Sequence, residues 1–202
     1  MSALPTHRVA TENWTPPADG DWTVDLFMRL ENPPGFRYEL VEGHLLMSPS
    51  PNFSHQTAVG ILFELMSAYV RRRRLGVVLV APFDVIPIPD DDTTALQPDI
   101  LFISNANRSI IHKTHALGPP DLVVEAISPK REALDRDRKF RLYAQSGVKE
   151  YWILDPPNRK IQIWVRRGES LVDRGHFGPG SQAPCEVIEG FTVSVEEVFS
   201  EQ

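Results

Sequence analysis

Apolar residues recur along this chain in two rhythms, and each predicts its own kind of element. In "HQTAVGILFELMSAYV", following Ser54, residues Ala58, Ile61, Leu62, Leu65, Met66 and Tyr69 fall on one helical stripe, which makes this the best-marked helix. It finishes in Arg71 to Arg74, a cluster that complements the negative end of a helix and reads as a solvated terminus before it reads as a DNA patch. A second helix is expected over "REALDRDRKFRLYAQSG", closed by Gly147. A short one is expected over "VDLFMRL", with Thr23 as N-cap and "ENPPG" as its stop.

Short apolar runs bracketed by turn formers predict the strands. "FRYELVEGHLLMSPSP" divides at Glu42-Gly43 into a hairpin, and 77–88, 99–103, "DLVVEAIS", "EYWILD" and "KIQIWVRR" follow, the last two joined at Pro156, Pro157 and Asn158. The acidic "PDDDTTALQ" between two of these strands reads as a solvated loop rather than a metal site. Hairpins mixed with strand-flanking helices imply an α/β (α+β) domain with a central mixed β-sheet flanked by helices.

Composition narrows the picture without redirecting it. At 202 residues the chain supports one domain, expected over 21–202, behind a flexible lead-in over 1–20 that carries three prolines and few large apolar side chains. A formal net charge of -6 argues against a basic coat for non-specific nucleic-acid binding, while leaving room for a local basic groove. The lone Cys185 can form no intramolecular disulfide, and no CxxC or Cys/His cluster has zinc spacing, which fits a reducing cytoplasm. No run approaches the ~20 apolar residues of a spanning helix, so a soluble, cytoplasmic protein without a membrane partner is expected.

One residue breaks the pattern. In "PPDLVVEAISPK", residues 119–130, Glu125 interrupts a β-branched strand, and an isolated buried carboxylate is costly, so it needs a partner. Asp121 shares its strand face, but four residues separate their Cα atoms by roughly 13 Å, too far to close on one Mg²⁺ with ~2.1 Å ligand bonds. Neighbouring strands lie only ~4.8 Å apart, so Asp99, fixed by Pro98 at the start of "DILFI", is the natural candidate. Two carboxylates at that distance repel unless one is protonated or a cation sits between them, and a hard divalent metal resolves the conflict.

Phosphodiester hydrolysis at such a metal benefits from a further cation. The position that would share Glu125's face is Ile127, so the lysine must come from elsewhere. Lys139 lies in the following helix with Tyr143 one turn on, at the boundary of a packed side marked by Phe140, Tyr143 and Ala144, and Lys130 is its competitor. Taken singly, Asp99 reads as a turn-ending residue and Glu125 as half of an arginine ion pair; taken together they favour metal.

These residues, with "RYELVEGHLLMSPSPNFSHQ", "QPDILFI" and "PDLVVEAISPKREALDRDRKFRLYAQSGVKEYWILD", resemble the Uma-two family of restriction-endonuclease-like proteins within the PD-(D/E)XK nuclease superfamily, from about Trp22 to the end of the chain. The resemblance implies a restriction-endonuclease-like core with a divalent metal at the open edge of its sheet. By position, Pro98-Asp99 matches the PD element, Glu125 the acidic residue of (D/E)XK, and Lys139 the lysine that the family has moved from strand to helix. Glu42 and His55 also stand where the family carries such residues, implying that Glu42 supplements metal binding and that His55 contacts metal-bound water or phosphate. As plain sequence they read as a turn residue and a helix-start residue. The chain departs from the superfamily at Ile127 and from usual family wording at "SPKR".

The expected function is a Mg²⁺- or Mn²⁺-dependent DNA endonuclease in which Asp99 and Glu125 hold the metal and Lys139 positions water or neutralises developing charge. Arg136 and Arg138, with Arg131 and Arg141, would grip phosphates, although interleaved Glu132, Asp135 and Asp137 also suit an ordinary salt-bridged helix. The alternative is a non-catalytic nuclease-like module that binds nucleic acid or a protein partner. A carboxylate-pair glycosidase explains neither Lys139 nor the strand-to-strand placement. A homodimer is expected, because double-strand cleavage by a one-site nuclease usually needs two copies.

Overall fold

The three central strands of a six-stranded sheet are apolar and buried on both faces, so the sheet must be covered twice. The computed structural model describes residues 16–30, 36–127 and 133–200, without the side chains of 133–136. In chain order the elements are α1 (Val24–Phe27), β1 (Phe36–Val41), β2 (His44–Pro49), α2 (Phe53–Arg73), β3 (Gly76–Val80), β4 (Asp84–Ile86), β5 (Ile100–Ser104), a 3-10 turn (Asn105–Ile110), β6 (His115–Leu117), β7 (Leu122–Ala126), α3 (Ala133–Ser146), β8 (Glu150–Asp155), β9 (Lys160–Arg167), β10 (Ser170–Phe177), β11 (Gln182–Pro184), β12 (Thr192–Ser194) and α4 (Val195–Val198). The six-stranded sheet runs β10-β9-β8-β7-β5-β3, with β7 and β8 parallel and the other neighbours antiparallel. It is the mixed α/β sheet that the apolar pattern predicts.

Strand alternation decides what each face meets. Leu122, Val124 and Ala126 of β7 join Trp152 and Leu154 of β8 under Ala58, Leu62 and Met66 of α2. Val123, Tyr151 and Ile153 point the other way, to Leu142 and Tyr143 of α3. Glu125 has the parity of Val123, so it looks at α3.

The long helix differs in detail from the expected one. Asn52, rather than Ser54, sets its start: the Asn52 side chain accepts from the His55 N–H at 2.9 Å, and the helix opens at Phe53. Its buried face is His55, Ala58, Val59, Leu62, Met66 and Val70, rotated from the expected stripe, while Ile61, Leu65 and Tyr69 are half-buried. The reason is a second neighbour flanking the helix, since the Tyr69 hydroxyl donates to the Glu189 carbonyl at 2.9 Å and its ring meets Phe191. Arg71 to Arg74 are exposed, as a solvated helix end requires, with the Arg73 guanidinium 4.7 Å from the Tyr69 ring centre.

The run 77–88, expected as one strand, is two. β3 joins the large sheet and β4 pairs in parallel with β6, because Pro82 between them brings no N–H to a ladder. The chain beyond Arg167 adds β10, β11, β12 and α4, which no expectation covered.

The hairpin forms as expected, with φ of 51° at Glu42 and 79° at Gly43 in a tight turn between β1 and β2. Gly43 is needed twice over, because a Cβ there would also lie 2.3 Å from the Gly20 carbonyl oxygen. Gly20 N–H in turn donates to the Gly43 carbonyl at 3.1 Å, so the end of the expected lead-in docks on the hairpin, while residues 1–15 lie outside the described residues. The hairpin is anchored through Leu40, which exchanges backbone hydrogen bonds with Ala95, while Leu96 exchanges them with Val85. Among the described residues no helix is long and apolar enough to cross a membrane.

A buried carboxylate fastens the C-terminal elements to the sheet. Glu150 of β8 accepts from the Trp152 indole N–H at 2.7 Å and from the Glu186 and Val187 backbone N–H groups at 2.9 Å each. Glu150→Ala strands these donors in the core and is expected to destabilise the protein by about 2–4 kcal/mol in urea unfolding. Glu150→Gln should cost less, because its carbonyl still accepts.

Candidate active site

The antiparallel register of β5 and β7 pairs Ile100 with Val124, and extending it by one residue sets Asp99 opposite Glu125. Both side chains are buried, with 2% and 7% of their residue surface exposed. Asp99 Oδ2 accepts from the Ala126 N–H at 2.8 Å, which ties the carboxylate to the neighbouring strand. A third buried carboxylate, Glu39, arrives from β1, where Arg37 and Glu39 share one face while Tyr38 and Leu40 pack into a separate apolar cluster. Glu39 Oε1 accepts from the Gln97 N–H at 2.8 Å, and the Gln97 side chain donates onward to Asp84 at 3.1 Å.

Partners for these carboxylates come from three other places. Lys139 of α3 reaches back to the sheet, its Nζ 2.8 Å from Glu39 Oε1 and 2.9 Å from Glu125 Oε1. One turn on, the Tyr143 hydroxyl donates to the same Glu125 oxygen at 2.7 Å. Arg37 donates through Nη1 to Asp99 Oδ1 at 3.0 Å. His55, at the start of α2, brings Nε2 to 3.2 Å from that oxygen without the alignment of a hydrogen bond. Among the described residues neither imidazole nitrogen has a hydrogen-bond partner, although the side chain is 4% exposed.

Burial sets the electrostatics. It would raise the Asp99 carboxyl, but His55, Arg37 and the Ala126 N–H outweigh it and hold the group at about 2. For Glu125 burial wins: Lys139 pulls the carboxyl down, Glu39 and Asp99 push it up, and the net position is about 7. Burial also works against the Lys139 ammonium, yet Glu125 and Glu39 keep it charged and raise its pKa. The Tyr143 hydroxyl, buried and facing Glu125, is pushed well above its ordinary value and remains a donor.

The structure thus brings together Asp99, Glu125, Lys139 and His55 and adds Arg37, Glu39, Gln97 and Tyr143. It places Glu42 elsewhere, on the exposed hairpin turn, where Oε2 accepts from Arg138 Nε at 2.8 Å. Glu42 is thus paired with Arg138, and Arg138 is itself engaged. Lys130 and the Arg136 side chain lie outside the described residues, as does Arg131; Arg141 is exposed. Asp121 is occupied apart from the site, accepting from the Ser104 N–H at 2.7 Å and from Lys149. Glu39 was findable: in "FRYELVEG" it is two residues from Arg37 and so on the same strand face, whereas the turn that carries Glu42 swings it off the ladder.

The donor set suits a hard divalent ion. All candidate ligands are carboxylate oxygens, and Mg²⁺ typically takes one or two of these plus water and phosphate. Among the described residues no group of three or more His, Cys, Asp or Glu side chains is arranged to hold a metal ion. Glu125's raised pKa comes first from burial, with Glu39 and Asp99 adding to it against the pull of Lys139.

A family model described as "Uma2: Putative restriction endonuclease" matches residues 24–196. Among solved structures, a protein from Anabaena variabilis described as a "putative nuclease belonging to DUF820" superposes with a TM-score of 0.74 at 17% identity, over 89% of this chain and 98% of that one. No curated protein matches the sequence.

Glu125 makes stability depend on pH in the ion-free protein. Its folded carboxyl, at about 7, lies above the unfolded value of about 4.3, so the folded state holds the proton to higher pH and stability falls as pH rises through this window. Asp99, at about 2, changes its contribution only in acid, below about pH 4. Urea midpoints in EDTA are expected to drop between pH 5 and pH 8 for the wild type, and Glu125→Gln should remove most of that drop.

Proposed function

The chain belongs to the Uma2 family of restriction-endonuclease-like proteins, and from that premise we propose that it is a divalent-metal-dependent DNA endonuclease. The observation that carries this reading is the meeting of Asp99 and Glu125 across two adjacent strands, with Lys139 returning from α3 to the same carboxylates. Families of this kind generally use divalent metals. Asp99 and Glu125 are the residues that would hold Mg²⁺ or Mn²⁺, and the bound ion would polarise the scissile phosphate and acidify a water.

The remaining work falls to the chain itself. Arg37 and the Ala126 N–H fix the Asp99 carboxylate in one orientation, and Tyr143 does the same for Glu125. Lys139 carries a permanent positive charge at the point where negative charge grows on the phosphate during attack, the kind of preorganised stabilisation that matters most in a dry site. His55 offers imidazole nitrogens without hydrogen-bond partners among the described residues to a phosphate oxygen or to water. Glu39 holds Lys139 from the other side. Two copies, each cutting one strand, would complete a double-strand break, and the cytoplasm is where the proposed substrate is met.

Purified protein incubated with supercoiled plasmid should nick and linearise it in Mg²⁺ or Mn²⁺ and leave it intact in EDTA. Asp99→Ala and Glu125→Ala should each lower the rate at least about a hundredfold, the scale of losing a principal electrostatic contributor. Equal cutting by wild type and both variants would reveal a contaminant and favour a nuclease-like module that binds without cleaving.

A further inference from the structure

Lys139 is usually weighed for what it does to a substrate, but the geometry points to an earlier task. Its ammonium touches Glu39 Oε1 at 2.8 Å and Glu125 Oε1 at 2.9 Å, so one cation already joins two of the three buried carboxylates. It does so from a side chain that is 14% exposed, on a helix packed against the sheet through Leu142 and Tyr143. We propose that Lys139 is the built-in counter-cation of the ion-free site: it holds Glu39 and Glu125 together and competes with a divalent ion for Glu125, thereby setting the metal affinity.

The chemistry follows from charge and reach. Glu39, Asp99 and Glu125 are met by two permanent cations, Lys139 and Arg37. Arg37 is committed to Asp99, so Glu125 has Lys139 as its neutralising partner among the described residues. An ion that takes up Glu125 must draw the same carboxylate that Lys139 holds, and it meets a fixed positive charge beside it. Lys139 can yield Glu125 without becoming unpaired, because Glu39 keeps hold of its other side. Glu39 is thereby the parking place that lets one lysine serve the empty and the loaded site in turn. This rests on the proposed metal site at Asp99 and Glu125, and its test separates the two claims.

Mn²⁺ binding, followed by calorimetry and by the loss of the free-ion electron paramagnetic signal, is compared for wild type, Lys139→Met, Lys139→Gln, Lys139→Arg and Glu125→Gln. Removing the competing charge should tighten Mn²⁺ binding by at least about tenfold in both neutral variants, given the strength of charge interactions at such range in a protein interior. Lys139→Arg, which keeps the charge, should stay near wild type, and Glu125→Gln should lose affinity. If the neutral variants melt lower in EDTA, Mn²⁺ should raise their midpoint more than it raises that of the wild type, as preferential binding to the folded state requires. Neutral variants that bind Mn²⁺ no better than wild type, with no larger thermal response, would overturn the proposal while leaving the metal site intact. Absence of Mn²⁺ binding in all five proteins would remove the metal site and this role together.

Discussion

Burying three carboxylates at one end of a sheet is the constraint to which the rest of this structure answers. A charge withdrawn from water must be met by a cation or by hydrogen-bond donors, or else be neutralised by protonation. Each surrounding element can be understood as supplying one such answer. β1 delivers Arg37 to Asp99, α2 begins where His55 can face the same carboxylate, and α3 lies so that Lys139 and Tyr143 converge on Glu125. Even the run before Pro98, which looks like plain connection, carries the Gln97 N–H that receives Glu39.

The fold was largely legible because both faces of the sheet are covered, which makes its strands short, apolar and bracketed by turn formers. Glu125 stood out for the same reason, as the polar residue in a strand with no wet side. Strand spacing then pointed to Asp99, and the helix period placed Lys139 and Tyr143 on one face. What escaped was long-range. Nothing local says that the hairpin folds over the sheet, so Arg37 and Glu39 passed as ordinary strand residues while Glu42 drew notice by position. The rotated face of α2 escaped likewise, since Tyr69 and Leu65 are apolar enough for a full core position but pack at its margin, where Tyr69 meets Glu189 and Phe191. β10 alternates with exposed and polar residues at a sheet edge, where periodicity is weak.

The same sheet contains acids that follow the opposite rule, and the contrast separates structure from chemistry. Glu150 is received chiefly by backbone N–H groups and an indole, and Asp121 by the Ser104 N–H as well as Lys149. Backbone donors cannot be withdrawn without breaking the fold, so these carboxylates are permanently spent on architecture. Glu125 is received by Tyr143, which is packed in the core, and by Lys139, whose long side chain can turn aside while its helix stays in place.

That difference has an energetic counterpart. A carboxylate answered by fixed dipoles gains nothing from a new cation that would disrupt them, whereas one answered by a movable ammonium can exchange one positive charge for another at modest cost. Asp99 combines both arrangements: the Ala126 N–H anchors one oxygen, and Arg37 and His55 attend the other. One oxygen is held by the strand's own backbone and the other by a guanidinium and an imidazole from separate elements, so the same carboxylate ties β7, β1 and α2 to β5.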